Sequence, residues 1–309
     1  MTAAPAVSAV IPTRDRPELL RRAIAAVLEQ DHPGPVEVIV VYDRSTPDAS
    51  LAGRSRTAGG AERTVRVVAN DRQPGLAGAR NTGILAAGGE LIGFCDDDDE
   101  WLPGKLTAQV AALDRSGADF ACCGIRVSYE DTVFDRVLDL DEVTLPALLR
   151  DRMTELHPST FLIRASAVRD GIGLVDERIP GGYGEDYEFL LRAARCRPLV
   201  NVRAPGTLVR WHRRSYFAQR WQVISEALRW LLDHYPEFAT EPAGLARIAG
   251  QIAFAEAALG DRRSAAHWAR RTLAGNPREP RAYLALAVAG RLVRPDLVVR
   301  TLHRRGRGI

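Results

Sequence analysis

A chain of 309 residues with 46% hydrophobic content can bury a large core and suits one big domain or a domain with an appendage. Its formal net charge of +3, with a sequence pI of 8.8, is too small a basic excess to mark a nucleic-acid footprint, so no nucleic-acid partner is expected. No apolar run reaches the ~18 residues that span a bilayer, and Met1 to Val7 lacks a basic start followed by a long apolar stretch.

These features read as a cytoplasmic protein with no transmembrane segment, and the basic tail from Arg300 to Arg307 leaves peripheral membrane contact open. Cys95, Cys122, Cys123 and Cys196 lack metal-type spacing and read as reduced thiols, three of them in apolar surroundings. Lys105 is the only lysine, and the many arginines carry little individual weight because the bias is general.

Short apolar runs alternate with helical patterns through the first half, which predicts βαβ units and a mostly parallel α/β sheet flanked by helices. Val7 to Ile11 is the first strand. Pro17 opens a helix in which Leu20, Ile24, Val27 and Leu28 recur, closed by the breakers His32, Pro33, Gly34 and Pro35. Val36 to Val41 and Val65 to Val68 are the next strands, Gly78 to Ala87 a helix, Leu91 to Phe94 the fourth strand, and Lys105 to Leu113 an amphipathic helix. Pro12-Thr13-Arg14, Tyr42-Asp43 and Asp96 to Asp99 each follow an apolar strand directly, and open α/β sheets bind ligands at such ends. From about Tyr216 strand patterns vanish, which sets an expected boundary between residues 1–215 and an all-helical extension over 216–309. Within it, Ala255 to Leu259, the turn Gly260-Asp261, then Ala265, Ala266, Ala269, Leu273 and Pro277 suggest a tetratricopeptide-like hairpin, too few repeats for a solenoid. Trp221 and Trp230 recur at helical spacing and read as core.

Four consecutive aspartates, Asp96 to Asp99, repel one another unless compensated, and a divalent cation would compensate them. A solvated acidic turn is the plain alternative. A calcium loop of the EF-hand kind fails, because Trp101 stands where its turn needs glycine. Glu185 and Asp186 open a helix marked by Phe189, Leu190 and Ala193, where carboxylates complement the helix dipole without further purpose. Gly181, Gly182 and Gly184 just before them suit a mobile loop.

The stretch GLAGARNTGILAAGGELIGFCDDDDEWLPGKL (75–106), together with STFLIRASAV and GIGLVDERIPGGYGEDYEFLLRAAR ending at Arg195, resembles inverting glycosyltransferases of family 2, which have the GT-A fold. The resemblance runs in order over about Val7 to Ser215. It implies a nucleoside-diphosphate sugar donor, an Asp-x-Asp element at Asp96-Asp97-Asp98, Asp96 near the ribose and Asp98 on Mn²⁺ or Mg²⁺ that stabilises the diphosphate leaving group. It places Pro12, Thr13, Arg14 and Asp43 at the base and Arg80 and Asn81 near the nucleotide; Trp101, an aromatic ring beside the acidic run, is a candidate for the rim by its position alone. Asn81 is also open to a capping role over Thr82 to Ala87. Asp186 becomes the general base and Glu185 positions the acceptor or the loop. His212, in VRWHRRS, falls near the diphosphate or metal, with plain surface exposure as the alternative; Arg210, Arg213 and Arg214 offer phosphate charge or a plain basic strand; His157, before Pro158-Ser159-Thr160, is a candidate to face the acceptor. Tyr42-Asp43-Arg44-Ser45 departs from the relatives' Asp-Asp-Gly-Ser, which leaves base recognition open.

Two other readings stand beside this one. A nucleotidyltransferase acting on sugar phosphates would show a glycine-rich phosphate loop after the first strand, and PTRDRPELL has none. A non-catalytic binder whose helical tail docks a partner would need neither Asp98 nor Asp186. The acceptor, whether small molecule, glycan, lipid or peptide, is not named by any residue pattern.

Overall fold

The computed structural model describes residues 4–211 and 220–303. In chain order the elements are β1 (Val7–Thr13), α1 (Pro17–Leu28), β2 (Val36–Tyr42), β3 (Gly53–Arg56), β4 (Glu62–Ala69), α2 (Leu76–Ala86), β5 (Leu91–Phe94), β6 (Glu100–Trp101) and α3 (Lys105–Ser116). There follow β7 (Phe120–Tyr129), β8 (Thr132–Arg136), β9 (Glu142–Val143), α4 (Leu145–Arg150), β10 (Leu162–Arg164), α5 (Ala165–Ala167), α6 (Glu185–Cys196) and β11 (Leu199–Arg210). Five further helices complete the chain: α7 (Trp221–His234), α8 (Pro242–Leu259), α9 (Arg262–Gly275), α10 (Pro280–Ala289) and α11 (Pro295–His303).

One sheet runs in the order β3-β4-β2-β1-β5-β10-β7-β11-β6, with β8 added to β7 and β9 to β11. The β4-β2-β1-β5 ladder is parallel, as the apolar runs predict for strands covered on both faces. β10 is antiparallel to both β5 and β7, and β3, too polar to stand out as a strand, pairs antiparallel on the edge. Every residue of β1 is buried, and Leu20, Ala23, Ile24 and Val27 of α1 cover one face of the sheet core. α2 lies against β1 so closely that a Cβ on Gly83 would sit 2.2 Å from a methyl of Val10. That helix starts at Leu76, two residues earlier than its periodicity suggests, because Gly75 takes φ of 128° and lets the chain turn into it.

The chain divides into two compact units: Met1–Leu145, Met153–Glu177 and Glu185–Arg213 in one, Pro146–Arg152, Arg178–Gly184 and Arg214–Ile309 in the other. In the second unit α8 and α9 are joined through Gly260 and Asp261. Gly260 ends α8 in the left-handed conformation, and the Asp261 carboxylate accepts the Ser264 amide at 2.9 Å to start α9. Ala246, Ala249, Ala253 and Ala257 are buried along α8, so neighbouring helices can approach its backbone. Trp221 is half-buried and meets Phe254 edge-on at 5.5 Å, while Trp230 stacks on His234 at 3.8 Å. Neither ring is fully enclosed. Among the described residues no helix is long and apolar enough to cross a membrane.

Candidate active site

β1, β2 and β5 are parallel neighbours, so their carboxyl ends share one edge of the sheet. The Asp43 amide donates to the Thr13 carbonyl at 3.0 Å, and the Cys95 amide to the Val10 carbonyl at 3.0 Å. Pairing therefore persists to the first residue after β2 and β5, and it fixes the direction in which each loop leaves the sheet. Pro12 itself is buried within β1, and Arg14 is exposed.

The aspartate run is a tight turn, with the Asp99 amide donating to the Asp96 carbonyl at 3.1 Å. Its carboxylates alternate. Asp97 and Asp99 are 6% and 2% exposed, whereas the side chains of Asp96 and Asp98 remain 20% and 21% exposed. The inward pair is held by neutral and cationic donors. Thr13 Oγ1 donates to Asp97 Oδ2 at 2.7 Å, and Arg16 Nη1 reaches Asp97 Oδ1 at 3.1 Å and Asp98 Oδ2 at 2.7 Å. Ser159 Oγ donates to Asp99 Oδ2 at 2.6 Å and accepts the Asp96 amide at 2.9 Å; His157 Nδ1 lies 3.3 Å from the same Asp99 oxygen. Burial pushes the Asp97 carboxyl up, against the pull of Thr13 and Arg16. Burial followed by the charges of Asp96 and Asp98 pushes Asp99 well above the usual carboxylate range. Burial lowers His157, which faces Asp96 and Asp186.

Across from the turn, α6 begins with Glu185, buried, and Asp186, half-buried. Arg80 joins the two sides: Nη1 donates to Glu185 Oε1 and Nη2 to Asp96 Oδ1, both at 2.7 Å, with the guanidinium 1% exposed. Burial works against its charge, and the facing carboxylates of Asp96 and Glu185 overcome that. Burial raises Glu185 to about 7, with Arg80 opposing and Asp186 adding to the rise.

Several expectations change here. Asn81 is in the middle of α2 and caps nothing; its amide spans Val175 and Glu177, donating to the Val175 carbonyl at 2.8 Å and Glu177 Oε1 at 2.6 Å and accepting the Val175 amide at 2.8 Å. Trp101 is not at a rim. The ring is 2% exposed, donates from Nε1 to the Phe94 carbonyl at 3.1 Å and carries the Lys105 ammonium 3.9 Å from its centroid, so it fills the core behind the turn. Arg210 pairs with Glu100, and His212, Arg213 and Arg214 lie outside the described residues. Asp43 is buried, accepting from Asn70 Nδ2 at 2.9 Å, the Gly75 amide at 3.2 Å and Arg44 Nε at 3.0 Å; burial would raise its carboxyl, but these donors outweigh it and hold it below the usual range. Arg16, Asn70, Ser159 and Glu177 are the supports that sequence reading missed. Arg16, Ser159 and Glu177 sat in stretches already singled out, though not for these roles, and Asn70 did not.

Asp96, Asp99 and His157 each offer a ligand atom within 4.8 Å of the others, a set of hard oxygens and one imidazole that suits Mn²⁺ or Mg²⁺. Asp99 is enclosed, however, and Asp98 presents the more open carboxylate.

The sequence model of glycosyl transferase family 2 matches residues 8–171, more than half of the chain. The chain belongs to glycosyltransferase family 2. It is 32% identical over 203 residues to the succinoglycan biosynthesis protein ExoO of Rhizobium meliloti, covering 62% of this chain and 56% of that one. It is 25% identical over 145 residues to WfgD of Escherichia coli, a UDP-Glc:α-D-GlcNAc-diphosphoundecaprenol β-1,3-glucosyltransferase, covering 47% and 55%. The matched part thus spans about half the length of these relatives. Among solved structures, S. aureus TarS in complex with UDP-GlcNAc superposes with a TM-score of 0.65 at 17% identity, over 97% of this chain and 92% of that one. The mannosyltransferase PcManGT of Pyrobaculum calidifontis, in complex with GDP-Man and Mn²⁺, gives 0.55 at 18% identity, over 97% and 84%. These likenesses establish the GT-A fold of this family 2 member.

Proposed function

We propose that this family 2 chain is an inverting glycosyltransferase that moves a sugar from a nucleoside-diphosphate sugar to an acceptor hydroxyl, with Asp186 as general base. The observation that carries the reading is the acidic turn itself. At the ends of parallel strands, two of its carboxylates face inward on dedicated donors and two face out. A turn that needed only solvation would not bury Asp97 and Asp99 to present Asp96 and Asp98. The UDP-Glc in the name of WfgD and the UDP-GlcNAc and GDP-Man of the structural neighbours support a nucleotide-sugar donor.

In this reading Asp43 and Arg14 line the base side with Pro12 and Thr13 beneath them, and Asp96 meets the ribose. Asp98 holds the metal, with His212 as a further ligand from outside the described residues. When bound, a divalent cation there neutralises charge developing on the departing diphosphate. Thr13, Arg16 and Ser159 keep the turn from springing apart as like charges would drive it. Asp186 then takes the acceptor proton as the oxygen attacks the anomeric carbon, which inverts that centre without an enzyme nucleophile. The catalytic domain spans residues 1–215 and the helical extension 216–309.

A thermal-shift screen of nucleoside diphosphates and their sugars, with and without Mn²⁺, tests the reading. Selective stabilisation by one nucleotide series, dependent on the metal, is expected by mass action. No stabilisation by any of them at millimolar concentration would overturn it.

A further inference from the structure

Arg80 touches both the acidic turn and the start of α6, and its surroundings do not suit a contact with donor. At 1% exposure its guanidinium has no open face for a nucleotide. One nitrogen is spent on Asp96 and another on Glu185, while Nε is buried with no hydrogen-bond partner. The group lies 5.6 Å from the ring centroid of Phe94, the last residue of β5, and Phe94 in turn is 6.0 Å from Phe189 on α6. A buried arginine left one donor short is a poor device for stability, since well-packed apolar side chains usually do as well. It is a good device for holding two carboxylate-bearing segments at a fixed separation, because the planar fork offers two rigid directions and a lysine offers one point.

We propose that Arg80 is a positioning residue that ties the acidic turn to the first turn of α6, and so sets where the base meets the acceptor relative to the bound donor. This rests on the reading of Asp186 as the base. Arg80 acts through Asp96 and Glu185 and touches neither substrate. Its loss therefore slows transfer far more than it weakens donor binding, which feels Arg80 only through Asp96.

The test compares Arg80→Lys, Glu185→Gln and the double variant with the wild-type chain. Arg80→Lys should lower kcat by about 100-fold, the scale of a 1 Å misplacement, with donor KM and Kd within about threefold. Glu185→Gln should lower kcat in the same way, and the double variant should be no slower than Arg80→Lys alone, because both break one connection. A Kd weakened about tenfold with kcat kept would make Arg80 a donor contact, and additive losses would also overturn the proposal. Hydrogen exchange without any substrate provides a reading independent of turnover. Amides at 96–99 and 186–190 should exchange about tenfold faster in each variant. If Arg80→Lys does not fold, Glu185→Gln decides: faster exchange at 96–99, remote in sequence from the substitution, supports the tie, and unchanged exchange there refutes it. A wild-type chain that transfers nothing would defeat the proposed function, while the exchange result would still judge the tie.

Discussion

The two compact units each build a charged cluster around one arginine, and the clusters differ: the Arg80 side chain is 1% exposed and that of Arg229 is 41% exposed. In the helical unit Arg229 donates to Glu256 at 2.8 Å, to Ser264 Oγ at 2.9 Å and to Ser225 Oγ at 3.2 Å, while Ser225 donates to Glu256 and the guanidinium lies 5.4 Å from the Trp268 ring centroid. One cation meets one anion; both hydroxyls accept from the guanidinium, and Ser225 also donates to the carboxylate. In the α/β unit Arg80 faces Asp96 and Glu185 directly and Asp186 through space, with its Nε unpartnered. Three acids on one cation is an arrangement that stability alone does not favour. A charge-balanced pair buttressed by hydroxyls holds helices together, while a buried cation set among several acids at the strand ends is the arrangement that shifts acid strengths.

The largest effect that separates the two clusters should come from Asp186→Asn. It should cut transfer by about 10³-fold or more while nucleotide binding stays within about threefold, and near-normal transfer would remove Asp186 as base. In the other cluster Arg229→Met should leave kcat untouched and cost about 1 kcal/mol of stability by denaturant titration, because it leaves the buried Glu256 carboxylate with Ser225 while the cation it loses is partly solvated. A change in kcat without a change in stability would break the contrast.

Lys105 offers a smaller test. Its ammonium is buried without a hydrogen-bond partner, and burial lowers it to about 8. A base whose folded value lies below its unfolded one costs stability while both states are charged, and the cost fades as pH rises above 8. Lys105→Met should therefore be stabilising by about 1–2 kcal/mol at pH 7, less whatever the contact with Trp101 contributes, with the gain shrinking toward pH 10. Glu185 gives the mirror case. Its carboxyl is raised to about 7 by burial, so the folded chain holds a proton that the unfolded chain has lost, and stability falls as pH rises from the unfolded value of about 4.3 through 7. Relative to wild type, Glu185→Gln should gain on the order of 1 kcal/mol between pH 5 and pH 8 in thermal or denaturant unfolding.

The parallel strands β1, β2, β4 and β5 and the helices α1, α2 and α3 were legible because apolar runs on a parallel sheet are continuous and their ends are marked by polar residues, whereas β7, β10 and β11, in the second half of the unit, were not picked out. Pro17 and the Gly260-Asp261 turn announced helix boundaries by their own backbone preferences. The edge strand β3 was not legible, since all four of its residues are exposed and no hydrophobic pattern forms. The acidic turn was visible as a motif, but which carboxylates turn inward depends on Thr13, Arg16 and Ser159, 84, 81 and 60 positions from their partners. The general arginine excess hid Arg63, whose side chain donates to the carbonyls of Leu28, Gln30, His32 and Gly34 and pins the α1–β2 connection; Arg80 stood out by resemblance, but its buried bonds to Asp96 and Glu185 did not. Trp101 was misplaced because proximity in sequence to the acidic run says nothing about which face of a strand the ring takes.

The central claim is that the outward carboxylates of the turn organise a metal-bound donor diphosphate. Calorimetric titration of the nucleotide selected by the thermal-shift screen, with and without Mn²⁺, into wild type and Asp98→Asn tests it most directly. The account predicts binding that requires Mn²⁺ in the wild type and weakens at least about tenfold in the variant, whose unfolding temperature stays near that of the wild type. Equal affinity in both proteins, or binding indifferent to the metal, would contradict it.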